Sequence, residues 1–277
     1  MDAALFARRL YHSAVIRRLV YLPSDLALRV RRRRTGSLTP PKGLVAVGPG
    51  NYEQIGAEFL DHFVRLGHLT PEDRVLDVGC GVGRMAATLA GYLSSRGAYE
   101  GFDVVPSGVE WCQAHITPRH RNFQFRTVDI FNKTYNPRGQ VAAEEFEFPY
   151  ESDSFDFVFM TSVFTHMMPN AVERYLQETA RVLRKGRRAL ITWFILNDES
   201  KTLMQDGRSR MSFPHARGSF SLMDEKLPEM NVAFDESFVR DAYSRAGIRI
   251  SEPISWGGWC GRPHHVSFQD VVIGEKA

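Results

Sequence analysis

The ten residues Arg74-Val-Leu-Asp-Val-Gly-Cys-Gly-Val-Gly83 restrict the fold of this chain more than any other segment. Their first half is a strand-length run with apolar residues on both faces, and such a strand is stable only where helices cover both sides of its sheet. Their second half puts glycine at the alternate positions 79, 81 and 83. The backbone can therefore turn sharply out of the strand, and a ligand can approach it without meeting side chains. A helical pattern starts at about Arg84 with Met85, Leu89, Tyr92 and Leu93 inward, and Tyr99-Glu-Gly-Phe-Asp-Val-Val105 reads as the next strand. Strand, helix and strand at this spacing form one right-handed crossover of a parallel sheet.

The alternation extends in both directions. Ile55, Phe59, Phe63 and Leu66 mark a helix before the first strand. Further strands are expected at Phe123 to Val128, Phe155 to Met160 and Ala189 to Leu196, with helices at Gly108 to His115 and Asn170 to Arg184. Asn170 is the expected cap of the last helix, with Glu173 three residues on and Lys185-Gly186 as its close. A helix at Asp235 to Ala246 then precedes a closing strand pair, Ile248 to Trp256 and Val266 to Ile273. The expected fold is α/β: a doubly wound, seven-stranded, mostly parallel Rossmann-like sheet with an antiparallel terminal strand pair. At 277 residues and 43% hydrophobic, the chain can bury one such core and a small cap.

Three segments interrupt the pattern. The stretch from Phe131 to Ser154 is long for a loop and reads either as an ordered flap or as a passive insertion. Residues 197–230 lack periodicity and are read as a substrate cap inserted in a domain spanning 44–277. The link Gly257 to His265 reads either as a pocket rim or as an ordinary wide hairpin loop, the latter being preferred.

The formal charge of +3 divides unevenly, because residues 1–34 carry nine arginines against Asp2 and Asp25. The remainder is mildly acidic, which argues against a long polynucleotide as the main partner. The stretch from Leu5 to Tyr21 reads as helical, but Arg8-Arg9 and Arg17-Arg18 fall about half a turn out of phase and would point to opposite faces. Two readings of residues 1–43 stand: an arm that contacts an anionic membrane surface or a partner or serves as an organelle-targeting segment, and a partly docked basic arm ending in the solvated run Arg31 to Arg34 and a linker at Thr35 to Gly43. Cys80, Cys112 and Cys260 form no Cys-x-x-Cys pair, which points to a reducing, cytoplasmic location without structural zinc. No apolar run reaches the roughly 20 residues of a membrane span.

In a doubly wound sheet, ligands bind outside the carboxyl ends of the strands. Here those ends are Asp77 with the glycine loop, Asp103, Asp129 and Thr161-Ser162. Asp103 stands 20 residues beyond Gly83, the spacing at which a carboxylate on the second strand meets a ribose diol. The spacing Gly81-x-Gly83-x-x-Ala86 also fits a dinucleotide loop, but a carboxylate at position 77 would repel a pyrophosphate. It suits S-adenosylmethionine, which carries no phosphate but a sulfonium and an ammonium group. Asp77 could also be a structural residue that bonds loop amides.

Val75-Leu-Asp-Val-Gly-Cys-Gly-Val-Gly-Arg84 closely resembles the first motif of the class I S-adenosylmethionine-dependent methyltransferases, and Gly101-Phe-Asp-Val104 resembles their second. Thr127-Val-Asp-Ile130, Phe155 to Ser162 and Arg181 to Ile191 are similar to later segments of that family, and the whole resemblance covers roughly residues 51–196. It implies that Asp77, Gly79, Cys80, Gly81 and Gly83 line the methionine moiety and Asp103 holds the ribose hydroxyls. Val104 and Ile130 would flank the adenine, Asp129 would bond its exocyclic amine, and Thr161 would sit at the fourth strand end. Arg187 stands where the family commonly has a second glycine after Gly186.

The reaction so implied is in-line displacement at the sulfonium methyl, driven largely by alignment, with a base needed only where the nucleophile must lose a proton. His166, just beyond the fourth strand, is the candidate base; histidines at such junctions also cap or orient neighbours. His215, His264 and His265 are weaker candidates, and no ligand spacing supports a metal. An O or N of a small-molecule acceptor is the expected target. The alternatives are an NAD-dependent oxidoreductase and a non-catalytic cofactor-binding scaffold.

Overall fold

The computed structural model describes residues 14–45 and 50–277. Helices α1 (Ala14–Thr35) and α2 (Tyr52–Arg65) lead into an alternating series: β1 (Arg74–Val78), α3 (Arg84–Leu89), β2 (Ala98–Asp103), α4 (Pro106–His115), β3 (Phe123–Thr127), β4 (Phe155–Met160), α5 (Pro169–Val182) and β5 (Leu183–Trp193). There follow β6 (Ile195–Leu196), α6 (Asp198–Gln205), β7 (His215–Arg217), β8 (Phe220–Leu222), β9 (Val232–Asp235), α7 (Glu236–Arg245), β10 (Ile248–Ile250) and β11 (Asp270–Lys276).

The main sheet runs β10-β11-β5-β4-β1-β2-β3. Its first five strands in the chain are parallel, and β11 runs antiparallel to both β5 and β10. The strand order reverses at β1, which pairs with both β2 and β4, so the crevice of a doubly wound sheet opens at the carboxyl ends of β1 and β4. Alternate side chains divide between two cores, as the pleat requires. Leu76, Val78, Phe102, Val158 and Met160 pack towards α5 and α7. Val75, Tyr99, Phe157 and Phe159 pack with Phe59 and Phe63 of α2 and with α3 and α4.

Several boundaries differ from expectation for local reasons. α5 begins at Pro169 with Met168 as a cap that makes no side-chain bond, so Asn170 is not its cap. Proline takes the first helical position because its φ is preset and the N–H it lacks would be unpaired there anyway. β5 starts six residues earlier than Ala189, directly after α5, and Gly186 (φ 72°) lies where its register on β4 shifts. The closing pair is shorter than read, since Pro253 cannot donate to a ladder and the chain leaves the sheet after Ile250.

The 197–230 segment is bracketed by β6 and β9, which join it in a second sheet of order β6-β9-β8-β7. Beneath it lies a third apolar cluster containing Phe194, Leu196, Leu203, Phe213, Trp259 and Cys260. Gly257 to His265 is part of the link between β10 and β11, as read, but it is packed rather than open, because Trp259 and Cys260 are fully buried. What holds them is Asp270. Its carboxylate accepts from Gly257 N (2.7 Å), Arg262 Nη1 (3.0 Å), Ile195 N (2.8 Å) and Trp259 Nε1 (2.7 Å).

The helix read from Leu5 to Tyr21 lies partly outside the described residues. From Ala14 it continues past Tyr21 to Thr35, through the arginine run. The expected linker folds back on it: the Asp25 carboxylate accepts from Lys42 N (2.6 Å) and Gly43 N (3.1 Å). A Cβ on Gly43 would lie 2.9 Å from Arg18 Cα, so only glycine permits this approach. No helix among the described residues is long and apolar enough to cross a membrane.

Candidate active site

β1 delivers Asp77 to the centre of the sheet, opposite Gly101 of β2 and Phe159 of β4. The chain then leaves through Gly79 (φ 82°), Gly81 (φ 53°) and Gly83 (φ 73°), a left-handed path that side-chain-bearing residues rarely follow. The three glycines face different surroundings. A Cβ at Gly79 would strike Val163 of the turn after β4 at 2.6 Å, and one at Gly83 would strike Cys112 Sγ of α4 at 2.8 Å, whereas one at Gly81 would meet nothing within 4 Å. The loop is thus wedged at both ends and open in the middle. Gly79 N and Cys80 N both donate to Phe102 O, at 2.9 and 3.0 Å, which seats the loop on β2.

Asp103, the last residue of β2, spans the crevice. One carboxylate oxygen accepts from Gly81 N (2.8 Å), and the other accepts from Val105 N (2.8 Å) at the entry to α4. Burial raises its pKa, and these backbone N–H groups oppose the rise. Each oxygen keeps a second lone pair, so the group can still accept from a ligand's hydroxyls.

Asp77 is almost fully buried. Its Oδ2 accepts from Tyr99 Oη at 2.5 Å, while Oδ1 has no hydrogen-bond partner among the described residues. Burial pushes its pKa up to about 8, Tyr99's hydrogen bond works against that shift, and the charge of Asp103 adds to it. Asp77 does not bond loop amides, the structural alternative considered for it. A buried carboxylate with an unsatisfied oxygen is instead suited to a cation.

The turn after β4 forms the opposite wall. Ser162 adopts φ 59°, uncommon for a residue with a side chain. It is held there by its N–H on Thr192 Oγ1 (2.8 Å) and its hydroxyl on Gln269 Oε1 (3.0 Å). The chain then turns through Phe164–His166. His166 Nδ1 lies 3.1 Å from Glu229 O, and the His166 ring meets Tyr135 edge-on at 5.7 Å. A carbonyl only accepts, so Nδ1 carries the proton in this contact and a neutral ring has its lone pair on Nε2.

Three segments therefore converge beyond the glycine loop: the turn Phe164–His166, the stretch after β3 containing Tyr135, and the turn Pro228–Met230. The stretch after β3 is ordered rather than loose. Val141 N donates to Asp129 O (3.0 Å), and Asn132 Oδ1 accepts from Thr134 N and Tyr135 N. Phe146, Phe148 and Tyr150 then return to pack on Phe102.

Of the residues expected at the site, Asp77, Gly79, Cys80, Gly81, Gly83 and Asp103 form one connected loop. Val104 is half-buried just beyond, Ile130 is buried, Asp129 is exposed at the end of β3, and Thr161 is half-buried at the end of β4. Sequence reasoning missed Tyr99, Tyr135, Glu229 and Tyr52, whose hydroxyl donates to Gly83 O at 2.6 Å. Tyr99 had a signal, as a hydroxyl-bearing residue on the strand next to the one that carries Asp77. Tyr135 and Glu229 had none, because only the fold brings their segments together.

Residues 76–191 match the protein-family model described as "Methyltransferase domain". Among solved structures, the PH0226 protein from Pyrococcus horikoshii OT3 is 13% identical, with 90% of this chain and 99% of that one covered, at a TM-score of 0.58. A S-adenosylmethionine-dependent methyltransferase from Methanosarcina mazei is 20% identical over 77% of this chain and 96% of its own, with a TM-score of 0.51. Magnesium protoporphyrin IX methyltransferase from Synechocystis PCC 6803, solved with bound S-adenosylhomocysteine, is 15% identical over 94% and 99%, also at 0.51. At these identities what is shared is the fold. Residues 76–191 are thus a methyltransferase domain, and the sheet order and glycine loop around them are of the class I S-adenosylmethionine-dependent kind.

Proposed function

We propose that this methyltransferase acts on an oxygen or nitrogen of a small-molecule acceptor held between the turn Phe164–His166, the stretch containing Tyr135 and the turn at Glu229. The observation that carries this reading is the convergence of those three segments beside the glycine loop, with His166 oriented by a backbone carbonyl. Bound S-adenosylmethionine supplies an electrophilic methyl group; the residues of the chain bind it, align the acceptor and take up its proton.

Asp103 accepts the ribose hydroxyls with the lone pairs that Gly81 N and Val105 N leave unused. Asp77 faces the cofactor's ammonium, which supplies the cation its lone oxygen lacks. Val104 and Ile130 flank the adenine and Asp129 bonds its amine, as expected of residues at the ends of β2 and β3; Thr161 adds to the wall. His166 is the general base through Nε2. Replacing His166 by glutamine should lower kcat by roughly 100-fold or more while leaving S-adenosylhomocysteine affinity nearly unchanged. A variant that kept its kcat would show that His166 only orients its neighbours.

Incubation with methyl-labelled S-adenosylmethionine and a panel of small hydroxyl and amine compounds, alongside RNA and protein, tests the acceptor class. Label is expected in a small compound; label found only in polymer would overturn the proposal.

Asp77 adds a pH dependence. Its folded-state pKa of about 8 lies above the ordinary 3.8, so the folded protein holds a proton that the unfolded chain releases. The stabilisation this gives is fully present below 3.8 and is lost as pH rises towards 8. A cationic ligand favours the ionised form, so its binding expels that proton. Affinity for S-adenosylmethionine should therefore tighten between pH 6 and 8, by up to about tenfold per pH unit. Calorimetry in buffers of different ionisation enthalpy should show proton release that Asp77→Asn removes; no release in the native protein would separate Asp77 from the ammonium.

A further inference from the structure

Helix α1 is turned inside out relative to an ordinary surface helix, which buries its apolar stripe. Its docked face carries Arg17 (6% exposed), Tyr21, Asp25 and Leu28. Its outward face carries Leu19 (66% exposed), Leu22 (52%), Leu26 (54%) and Val30 (54%), spaced three, four and four residues apart, so they form one stripe about three turns long. Val20, also 66% exposed, widens it. Asp25, which a normal amphipathic helix would show to water, is instead turned inward to hold Lys42 N and Gly43 N. The orientation is thus fixed by hydrogen bonds that leave the apolar face uncovered.

The charge on this helix indicates what covers that face. It holds seven arginines against one aspartate, a net +6, and Arg18, Arg29 and Arg34 are exposed beside the stripe. The preceding thirteen residues add Arg8 and Arg9. A second copy of the chain seated on this face would bring two such helices together with like charges in register, which costs free energy where water is excluded. An anionic bilayer satisfies both features, because leucine and valine enter the boundary between headgroup and acyl chain while the arginines reach phosphates. Leu22 and Leu26 of the stripe also line, with Trp111, Asp25, Arg29 and Arg32, a crevice of about 350 Å³ between α1 and α4 in which two arginines stand against one aspartate.

We propose that the exposed face of α1, Leu19, Leu22, Leu26 and Val30 flanked by arginines, docks this enzyme on an anionic phospholipid surface. This stands apart from the acceptor reading, and its test reads binding rather than turnover. The full-length protein is co-sedimented with phosphatidylcholine vesicles and with vesicles containing phosphatidylglycerol, at low and high salt, and compared with the Leu19→Glu/Leu26→Glu/Val30→Glu variant. These three side chains are exposed, so the variant should fold and bind S-adenosylhomocysteine as the native protein does, which serves as the folding control. The native protein is expected to partition at least about tenfold more onto anionic than onto neutral vesicles at low salt. High salt should weaken that binding, and the variant should lose it. Equal binding to both vesicle types, no binding at all, or anionic binding that survives in the folded variant would each overturn the proposal. So would a native dimer in sedimentation equilibrium that the variant dissociates, without vesicle binding, which would assign the face to a second copy.

Discussion

Asp103→Ala should weaken S-adenosylmethionine and S-adenosylhomocysteine binding by about two orders of magnitude or more. The carboxylate has two tasks that fail together. It accepts from Gly81 N and Val105 N, tying the middle of the glycine loop to the start of α4, and in our reading it also accepts from the two ribose hydroxyls. Each hydrogen bond to a charged acceptor contributes about 1.5–3 kcal/mol, and every 1.4 kcal/mol or so is tenfold in affinity. The side of Gly81 that faces the crevice is open, since a Cβ there meets nothing within 4 Å, so no side chain can take over the clamp. Calorimetric titration against the native protein checks this. Asp103→Asn, which keeps one acceptor oxygen, should fall between the two. If the alanine variant bound within tenfold of native, Asp103 would serve the loop alone and the ribose would have to be held elsewhere.

The largest effect on stability is expected at Asp270, which no ligand touches in this reading. Asp270→Ala removes one acceptor from four buried donors: Gly257 N, Ile195 N, Trp259 Nε1 and Arg262 Nη1. Arg262 is 4% exposed and, among the described residues, keeps only Glu199 as a carboxylate partner. Breaking a buried ion pair on one side costs about 3–5 kcal/mol, because the remaining charge stays desolvated. For a chain of this size the melting temperature should fall by on the order of 10 °C, read by calorimetry or by the shift of a urea midpoint. Burial raises the Asp270 pKa to about 6 despite the backbone N–H groups and Arg262 that favour the ionised form. A carboxyl raised from 3.8 contributes stability below that value and loses it as pH rises. The advantage of the native protein over Asp270→Asn should therefore shrink between pH 4 and pH 6. A constant difference across that window would place the titration outside the folding equilibrium.

How much of the site could be read in advance depends on sequence separation. Asp77, the three glycines and Asp103 lie on one crossover, where strand period and glycine spacing determine their relation locally, and the structure finds them joined by Gly81 N on Asp103. The partner of Asp77 is Tyr99, 22 residues away; the sequence shows both residues, but only the parallel register of β1 and β2 puts them in contact. The wall that we propose for the acceptor was still less legible. His166 meets Glu229 from 63 residues away, and no periodicity relates a turn after β4 to a turn in the second sheet.

Burial within the loops follows the same logic. Gly257 to His265 has the glycine and proline content of a loop, and it is one; its burial comes from Asp270, whose charge does not announce that it will be desolvated. The sequence by itself determined the parallel α/β core, the glycine loop and the carboxylate that meets it, because those depend on contacts within a few tens of residues and on backbone freedom that glycine alone supplies. Only the tertiary structure decided which side of α1 faces the body, since an amphipathic helix has two faces and the Asp25 bonds to Lys42 and Gly43 chose the polar one. It likewise decided which distant loops close over the crevice, because such contacts exist only once the sheet has brought the strand ends together.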